Sequence, residues 1–335
     1  MEFQSVNKLL EKSFRENWDR PALSNYKGQD LAYRDVARRI AKLHIAFEQC
    51  GLEKGDKVAI CSRNQANWGV SFLAALTYGA VPVPILHEFK PGNIHYLVNH
   101  SEAKVLFVDD VIWENLSEAE MPGLYVVVQI NNFNFLYSKT EEMSQVRQHL
   151  NESFGHKYPN NFGPEDIDYY EDKADELAVI NYTSGTSGFS KGVMVPYRAL
   201  WSNIEFAHVQ AMPQLDNNTE VVSMLPSAHM YGMMVEFFLN FCLGNHLFFL
   251  TRLPSPSLIQ SACADIHPAI VIVVPMVIEK IIRKKVFPKL QTNKMRLLMA
   301  MPVISKKVRA AILAQVSKAF GGNLYEVIIG GAALN

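Results

Sequence analysis

Residues 57–85 read KVAICSRNQANWGVSFLAALTYGAVPVPI. Residues 57–61, KVAIC, are typical of a buried strand. Residues 67–78 have the length and composition of a helix, and Gly79 follows them as a helix-ending residue. Residues 81–85 predict a second buried strand. A strand, a helix and a strand in this order predict two parallel strands joined by a helical connection.

The same alternation continues on both sides of this stretch. Residues 6–14 and 36–47 precede it and carry apolar side chains at helical three–four spacing. Residues 91–99 predict a short helix, and VLFVD at 105–109 predicts another strand. The pattern predicts an α/β fold, with a largely parallel sheet and helices on both faces. Further strands are predicted at 177–182, 221–225, 246–250, 269–274 and 327–329, and further helices at 196–211, 276–285 and 306–320.

Residues 131–170 interrupt the alternation. They are rich in Asn, Glu and Tyr and contain few apolar runs. We interpret them as a surface excursion at a boundary between subdomains. The sequence therefore predicts a first α/β subdomain over residues 1–170 and a second over residues 171–335, which carries the functional motifs.

Composition limits the partners and the compartment. The chain has 335 residues, of which 49% are apolar, and a formal net charge of −1, so nothing in its composition argues for a nucleic-acid partner, which would need a basic face. No cysteines have zinc-site spacing, which favours reduced thiols and a cytoplasmic location. The strongest apolar tract, residues 237–250, is too short to span a membrane, and the N-terminus has no signal-peptide core. Peripheral membrane contact and a homodimer stay open. The four cysteines are Cys50, Cys61, Cys242 and Cys263.

Residues 183–192 read TSGTSGFSKG and are the most informative segment for function. They follow the predicted strand 177–182 and precede the predicted helix 196–211. Hydroxyl side chains, glycines and one lysine supply the short donors, exposed backbone N–H groups and cation that a polyphosphate needs. The pattern is neither a Walker A loop nor a nucleophile elbow. A flexible Ser/Gly hairpin is the alternative. The residues expected to bind nucleotide are Thr183, Ser184, Gly185, Thr186, Ser187, Gly188 and Lys191.

This segment resembles the phosphate-loop signature of the adenylate-forming (AMP-binding) superfamily, Y-T-S-G-T-T-G-x-P-K-G. It departs from that signature at Ser187, where Thr is usual, and at Ser190, where Pro is usual. The resemblance covers almost the whole chain and is closest to the N-terminal part of a long-chain fatty acyl-CoA synthetase. The other similar segments are LAYRDV at 31–36, LAALTYGAVPVPI at 73–85, LPSAH at 225–229, PAIVIVVPMVIEKI at 268–281 and GGA at 330–332.

The resemblance implies the large N-terminal domain of that family, with two mostly parallel sheets flanked by helices. The barrel subdomain and the C-terminal domain are expected to be missing or incomplete. The implied reaction is ATP-dependent activation of a long-chain fatty acid to acyl-AMP, followed by thioester formation with coenzyme A, with Mg²⁺ on the phosphates. The family's later motifs would lie beyond Asn335, so we expect this chain alone to have little or no ligase activity.

The resemblance also implies roles for single residues. The Thr183 hydroxyl would lie near Mg²⁺, and Thr186, Ser187 and Lys191 would hold the pyrophosphate end of ATP. His229, at the end of LPSAH, would position the acyl group beside the nucleotide. Taken alone, a histidine in such a place is more often a satisfied loop residue. Thr183, Lys191 and His229 are the candidate catalytic residues.

Two further segments have an implied role and a packing alternative. Tyr231, Gly232 and Met233 would border a tunnel for the acyl chain, with Val274 on a second wall. Met and aromatic residues at such spacing are more often core, and the two interpretations stay open. Gly330, Gly331 and Ala332 would lie against the adenine ring, or form only a turn.

Other functions stay as alternatives. One is another acid–CoA ligase acting on an aryl or medium-chain acid. Amino-acid adenylation is disfavoured, because residues 230–236 contain no F-D-x-S motif. A different nucleotide-hydrolysing enzyme would need GK[ST], which is absent. A non-catalytic nucleotide or lipid binder on the same fold also stays open.

Overall fold

The computed structural model describes residues 3–183, 190–207, 209, 219–285, 310 and 313–332. These residues form two mostly parallel sheets, each with one antiparallel strand pair at an edge, and a separate antiparallel sheet of two strands. The α/β expectation is therefore confirmed. The six-stranded sheet has the order β13 (Glu326–Ile329), β12 (Ile270–Val273), β10 (Glu220–Ser223), β11 (His246–Phe249), β1 (Pro21–Asn25) and β2 (Asp30–Ala32). The five-stranded sheet has the order β4 (Val81–Ile85), β3 (Lys57–Cys61), β5 (Ala103–Val108), β6 (Val126–Gln129) and β7 (Phe135–Ser138).

Helices cover the sheets and fill the space between them. The helix α3 contacts β1 of one sheet and β3 and β4 of the other. It is apolar along nearly its whole length and buried on all sides, which suits a helix enclosed between two layers. Gly79 ends it in the left-handed conformation, at φ 84°. The helices are α1 (Val6–Glu16), α2 (Tyr33–Gln49), α3 (Ala66–Tyr78), α4 (Pro91–His100), α5 (Asp110–Trp113), α6 (Glu141–Lys157), α7 (Tyr197–Phe206), α8 (Leu239–Cys242), α9 (Pro256–Ile266) and α10 (Pro275–Lys285).

The segment 131–170 is more regular than its composition suggested. It contains strand β7 and the 17-residue helix α6, neither of which was predicted. Val146, Leu150 and Phe154 lie four residues apart and are buried, and α6 packs on α2. A single narrow apolar stripe was enough for a helix, because α2 supplies the surface it packs against.

The phosphate-loop segment also differs from expectation. β8 (Leu177–Thr183) pairs with a second, antiparallel strand, β9 (Lys191–Pro196), before α7 begins. The loop therefore joins two strands of a hairpin and does not lead from a strand directly into a helix. Pro196 stands at the N-cap of α7, so it ends the strand and begins the helix.

Several expected boundaries agree with the structure. The strands at 57–61 and 81–85 match to the residue, whereas β1, β2 and α9 were not predicted. Residues 306–309, 311 and 312 of the predicted helix 306–320 lie outside the described residues, and residues 313–319 are helical. The six-stranded sheet combines β1 and β2, from before residue 170, with β10 to β13, from after it. The proposed subdomain boundary at 170/171 stays a prediction.

All four cysteines are free thiols, three of them buried. Burial raises the pKa of Cys50 to about 11. Among the described residues, no helix is both long enough and apolar enough to cross a bilayer.

Candidate functional site

The two ends of the phosphate loop face each other across the hairpin. Thr183 is the register partner of Lys191, and both side chains are exposed. An ammonium group and a hydroxyl therefore flank the mouth of the loop. Five of the predicted nucleotide-binding residues lie outside the described residues: Ser184, Gly185, Thr186, Ser187 and Gly188.

A buried amide ties this hairpin to the LPSAH segment, 225–229. Asn181 on β8 is 4% exposed, and its Nδ2 donates to the backbone oxygen of Ala228 at 3.1 Å. Ala228 directly precedes His229 in the chain. The hydrogen bond thus holds the predicted acyl-site loop beside the strand that leads into the phosphate loop.

A second amide joins the LPSAH segment to the other sheet. Asn64 follows β3, and its Nδ2 donates to the Leu225 oxygen at 2.6 Å while its Oδ1 accepts from the Ser227 N–H at 2.9 Å. Both partners belong to the loop after β10. One side chain therefore fixes the loop at two points, and it connects the carboxyl ends of strands from both sheets.

A buried carboxylate anchors the same loop from below. Glu236 is fully buried and accepts hydrogen bonds from Ser223 Oγ at 2.9 Å, Met224 N at 3.0 Å and Leu225 N at 3.0 Å. It belongs to Gly232–Phe238, a wide helix of π geometry. Burial raises its pKa to about 8, and the three donors oppose that shift only in part.

His229 is exposed and held by its own backbone neighbours. Its N–H donates to the Pro226 oxygen at 2.9 Å, and its oxygen accepts from the Met233 N–H at 2.8 Å. The Tyr231 N–H donates to His229 Nδ1 at 3.2 Å. A neutral imidazole that accepts at Nδ1 carries its proton on Nε2, so the ring presents Nε2–H as a donor.

The predicted acyl and adenine segments touch each other. A Cβ added to Gly330 would lie 2.6 Å from Cζ and 2.7 Å from the hydroxyl oxygen of Tyr231. The Tyr231 ring therefore occupies the space that a side chain at 330 would need. Its buried hydroxyl has no hydrogen-bond partner among the described residues. Desolvation, followed by the nearby Glu236, raises the Tyr231 pKa.

Two glycines permit further close approaches. A Cβ at Gly232 would lie 2.5 Å from the Pro226 oxygen, so only glycine fits where the wide helix starts against the LPSAH segment. Gly331 has φ 81°, and a Cβ there would lie 3.5 Å from Cγ1 of Val274. The two predicted segments at 274 and 330–332 thus lie side by side at the ends of β12 and β13.

The remaining predicted residues divide between surface and core. Ala332 is exposed beside Gly331. Met233 is fully buried in the main core, next to the aromatic residues Phe237 and Phe238. The burial of these three side chains agrees with the alternative that Met and aromatic residues in this segment belong to the core. A role for Met233 in an acyl tunnel stays a prediction.

A cavity of about 330 Å³ opens beside this site, at the carboxyl ends of strands from both sheets. Open α/β sheets bind ligands at this edge. Asp109 in its wall accepts from the Arg63 N–H at 2.9 Å and from Gln65 Nε2 at 2.9 Å, and burial raises its pKa. The other lining residues are Asn25, Asn64, His87, Asp110, Val111, Ile112, Asn131 and Thr251.

Sequence reasoning missed three polar residues that hold the site together: the buried Asn181 and Glu236, and the partly buried Asn64. Two of them carry a visible signal, because Asn181 interrupts an apolar strand and Glu236 interrupts an apolar helix. A buried polar group without a partner is costly, so such interruptions indicate a specific contact. The partner itself could not be found from the sequence.

Comparison with known proteins gives a consistent family. The model of the family described as AMP-binding enzyme matches residues 10–334. Mouse long-chain-fatty-acid–CoA ligase 5 is 26% identical over 376 residues, which cover 99% of this chain and 53% of that protein. Fatty acyl-CoA synthetase A of Dictyostelium discoideum is 28% identical over 228 residues, covering 67% of this chain and 33% of its own. The chain spans about half the length, or less, of these curated relatives.

Solved structures share the fold. ATP-bound MatB from Rhodopseudomonas palustris has a TM-score of 0.68 at 19% identity, over 98% of this chain and 55% of that one. FadD1, a long-chain-fatty-acid–CoA ligase from Archaeoglobus fulgidus, has a TM-score of 0.67 at 18% identity, over 84% of this chain and 54% of its own. Since the family match extends over nearly the whole sequence, the chain belongs to the AMP-binding enzyme family.

Proposed function

We propose that the protein carrying this chain activates a long-chain fatty acid with ATP and transfers it to coenzyme A. In the first step, a carboxylate oxygen bonds to the α-phosphorus of ATP and pyrophosphate leaves, which gives acyl-AMP. In the second, the thiol sulfur of coenzyme A bonds to the acyl carbon, AMP leaves, and the thiol proton passes to solvent. Both steps need positioning and charge stabilisation more than covalent help from the protein.

One observation supports the proposal: contacts join three segments that are far apart in the sequence. The hairpin mouth at Thr183 and Lys191 is tied through Asn181 to the loop that ends in His229. Tyr231, just after that loop, packs on Gly330. Phosphate, acyl and adenine segments of one substrate complex would have to be neighbours in this way.

The residues fit distinct parts of that complex. Lys191 would offset the negative charge that develops on the departing pyrophosphate. The Nε2–H of His229 would donate to an oxygen of the bound acyl or phosphate group. The unpartnered Tyr231 hydroxyl offers another donor, and the exposed backbone of Gly331 and Ala332 leaves room for a flat ring.

Mg²⁺ is expected to accompany ATP. It prefers oxygen ligands in octahedral geometry, and it commonly takes only one or two from the protein and the rest from water and substrate phosphates. The Thr183 hydroxyl at the hairpin mouth fits as one such ligand. Among the described residues, no group of three His, Cys, Asp or Glu side chains converges to form a metal site of its own. When bound with ATP, the ion would neutralise phosphate charge.

The acyl preference rests on the relatives. Two of them are named as a long-chain-fatty-acid–CoA ligase and a fatty acyl-CoA synthetase. We therefore expect thioester formation with long-chain fatty acids in a panel that also contains aryl, medium-chain and amino acids. The assay uses the full-length protein that carries this chain. Thioester formation confined to another class of acid would contradict the fatty-acid assignment.

The nucleotide part is tested in the 335-residue chain itself. Replacing Lys191→Met removes one charge-assisted contact, and we expect ATP affinity to fall roughly 10- to 100-fold. Lys139→Met is the matched control, because it makes the same substitution at a lysine outside the hairpin, directly after β7 at the edge of the five-stranded sheet. We expect this chain to show little carboxylate-dependent ATP–pyrophosphate exchange. Unchanged ATP affinity in Lys191→Met would contradict the assigned role of the hairpin.

A further inference from the structure

A cluster of four cations, none of which belongs to the candidate site, lies between α2 and α6. Arg38, Arg39 and Lys42 come from α2, and Arg147 comes from α6. Within the part of the chain that the structure describes, none of the four forms an ion pair with a carboxylate. The nearby Asp35 instead accepts from the Ala32 N–H at 3.0 Å, as the cap of its own helix.

Three of these cations line a cavity of about 230 Å³. Its walls contain cations, amides and apolar side chains, and no carboxylate. The volume lies below the roughly 300–1,000 Å³ of cavities that hold drug-sized molecules, so a compact ligand suits it best. The lining residues are Arg39, Lys42, Leu43, Asn67, Asn131, Asn132, Phe133, Arg147, Leu150 and Asn151.

Neutral oxygens hold the cations in place without balancing their charge. Lys42 Nζ donates to Asn151 Oδ1 at 2.7 Å, and Arg39 donates to the amide oxygen of Asn67. Arg147 Nε donates to the Phe133 oxygen at 3.0 Å. Each contact fixes the position of a charged group, and each leaves its positive charge intact.

The cations raise one another's electrostatic energy. Burial lowers the pKa of Lys42, and the positive charges of Arg38, Arg147 and Arg39 lower it further. Burial also lowers the pKa of the Arg39 guanidinium. Lys42 and Arg38 both lie 5.2 Å from the Phe154 ring, a contact that offsets only a small part of this repulsion. An anion in the cavity would relieve it.

We propose that this cavity binds a phosphate group, at a site separate from the ATP site proposed above. A phosphate group carries up to two negative charges and several acceptor oxygens, which matches clustered guanidinium, ammonium and amide donors. The apolar wall of Leu43 and Leu150 strengthens the attraction, because it lowers the local dielectric constant. The group could arrive as inorganic phosphate or on the headgroup of phosphatidate.

Inorganic phosphate is titrated calorimetrically into the full chain, in the Lys191→Met background. Lys191→Met removes the cation of the β8–β9 hairpin, so phosphate that still binds this variant does not depend on the proposed ATP site. Loss of ATP binding and loss of phosphate binding are therefore separate results. We expect saturable binding of one phosphate per chain. Lys42→Met and Arg147→Gln should each weaken it at least tenfold. Arg34→Gln is the matched control, since Arg34 lies on α2 and pairs with Asp19 outside the cavity.

Folding and the source of the phosphate are checked separately. Circular dichroism confirms that each variant is folded, and Lys42→Arg, which keeps the charge, should retain phosphate binding. Sedimentation with phosphatidylcholine vesicles that contain phosphatidate tests the lipid source, where Lys42→Met should reduce co-sedimentation. The proposal is overturned if neither phosphate nor these vesicles bind saturably. It is also overturned if Lys42→Met and Arg147→Gln bind as tightly as Arg34→Gln.

Discussion

The buried Glu236 should make the stability of this protein fall as the pH rises above neutral. In the unfolded chain its carboxyl titrates near the ordinary value of 4.5, whereas burial raises its pKa in the folded protein to about 8. Between these values the folded state holds a proton that the unfolded state has released. The stability that this provides is complete below pH 4.5 and is lost as the pH rises through 8.

The size of the effect follows from that difference. At about 1.4 kcal/mol for each pKa unit, the full window corresponds to on the order of 5 kcal/mol, as an upper bound. Two partly buried histidines oppose it in the lower part of the window. Burial lowers the pKa of His44 and of His246 to about 4, from an ordinary value of 6.5, so their contribution grows as the pH rises from 4 to 6.5. From pH 6.5 to 9 the histidine contributions no longer change, and the deprotonation of Glu236 should lower the free energy of unfolding by roughly 2 kcal/mol.

The assay is urea unfolding of wild type and Glu236→Gln at several pH values from 6.5 to 9. It is followed by circular dichroism and by tryptophan fluorescence, because coincident transitions are needed for a free energy. Wild type should lose roughly 2 kcal/mol over this range that the Gln variant does not lose. Glu114→Gln, an exposed position, should behave as wild type. Parallel pH profiles for wild type and Glu236→Gln would refute the reasoning.

Two packing predictions concern the LPSAH loop. Gly232→Ala places a Cβ 2.5 Å from the Pro226 oxygen and should cost about 1–3 kcal/mol. Gly155→Ala is the control in α6, where a new Cβ has no atom within 4 Å, and it should instead stabilise the protein by roughly 0.5–1 kcal/mol. If both variants shifted the thermal unfolding midpoint in the same direction, the close approach at Gly232 would be contradicted. Asn181→Ala leaves the Ala228 oxygen without its buried donor and should cost about 1–3 kcal/mol in urea unfolding. A loss below roughly 0.5 kcal/mol would show that the bond contributes little.

The sequence predicted best the elements whose signal is local. β3, α3 and β4 are apolar segments, and the helix-ending Gly79 separates α3 from β4, so their pattern needs no knowledge of the rest of the fold. α6 was missed because its stripe of Val146, Leu150 and Phe154 is isolated in a polar stretch. Its stability comes from packing on α2, about a hundred residues earlier in the chain, and no local pattern records that contact.

The candidate site shows the same division between local and long-range information. Each motif is contiguous, so Thr183, Lys191 and His229 could be selected from short segments and from a family resemblance. The contacts that bring the motifs together are not contiguous. Asn64 lies 161 residues before the Leu225 oxygen that it binds, and nothing near either residue identifies the other.

These long-range contacts give a loop without helix or strand the fixed geometry that the proposed site needs. The loop after β10 is held by Asn64 from one sheet, by Asn181 from the hairpin and by Glu236 from the wide helix. Each of these side chains binds backbone atoms, so the path of the loop does not depend on the identity of its own side chains. In the proposed function, His229 would change its partner on binding a substrate, while Asn64, Asn181 and Glu236 would keep its position relative to the hairpin mouth.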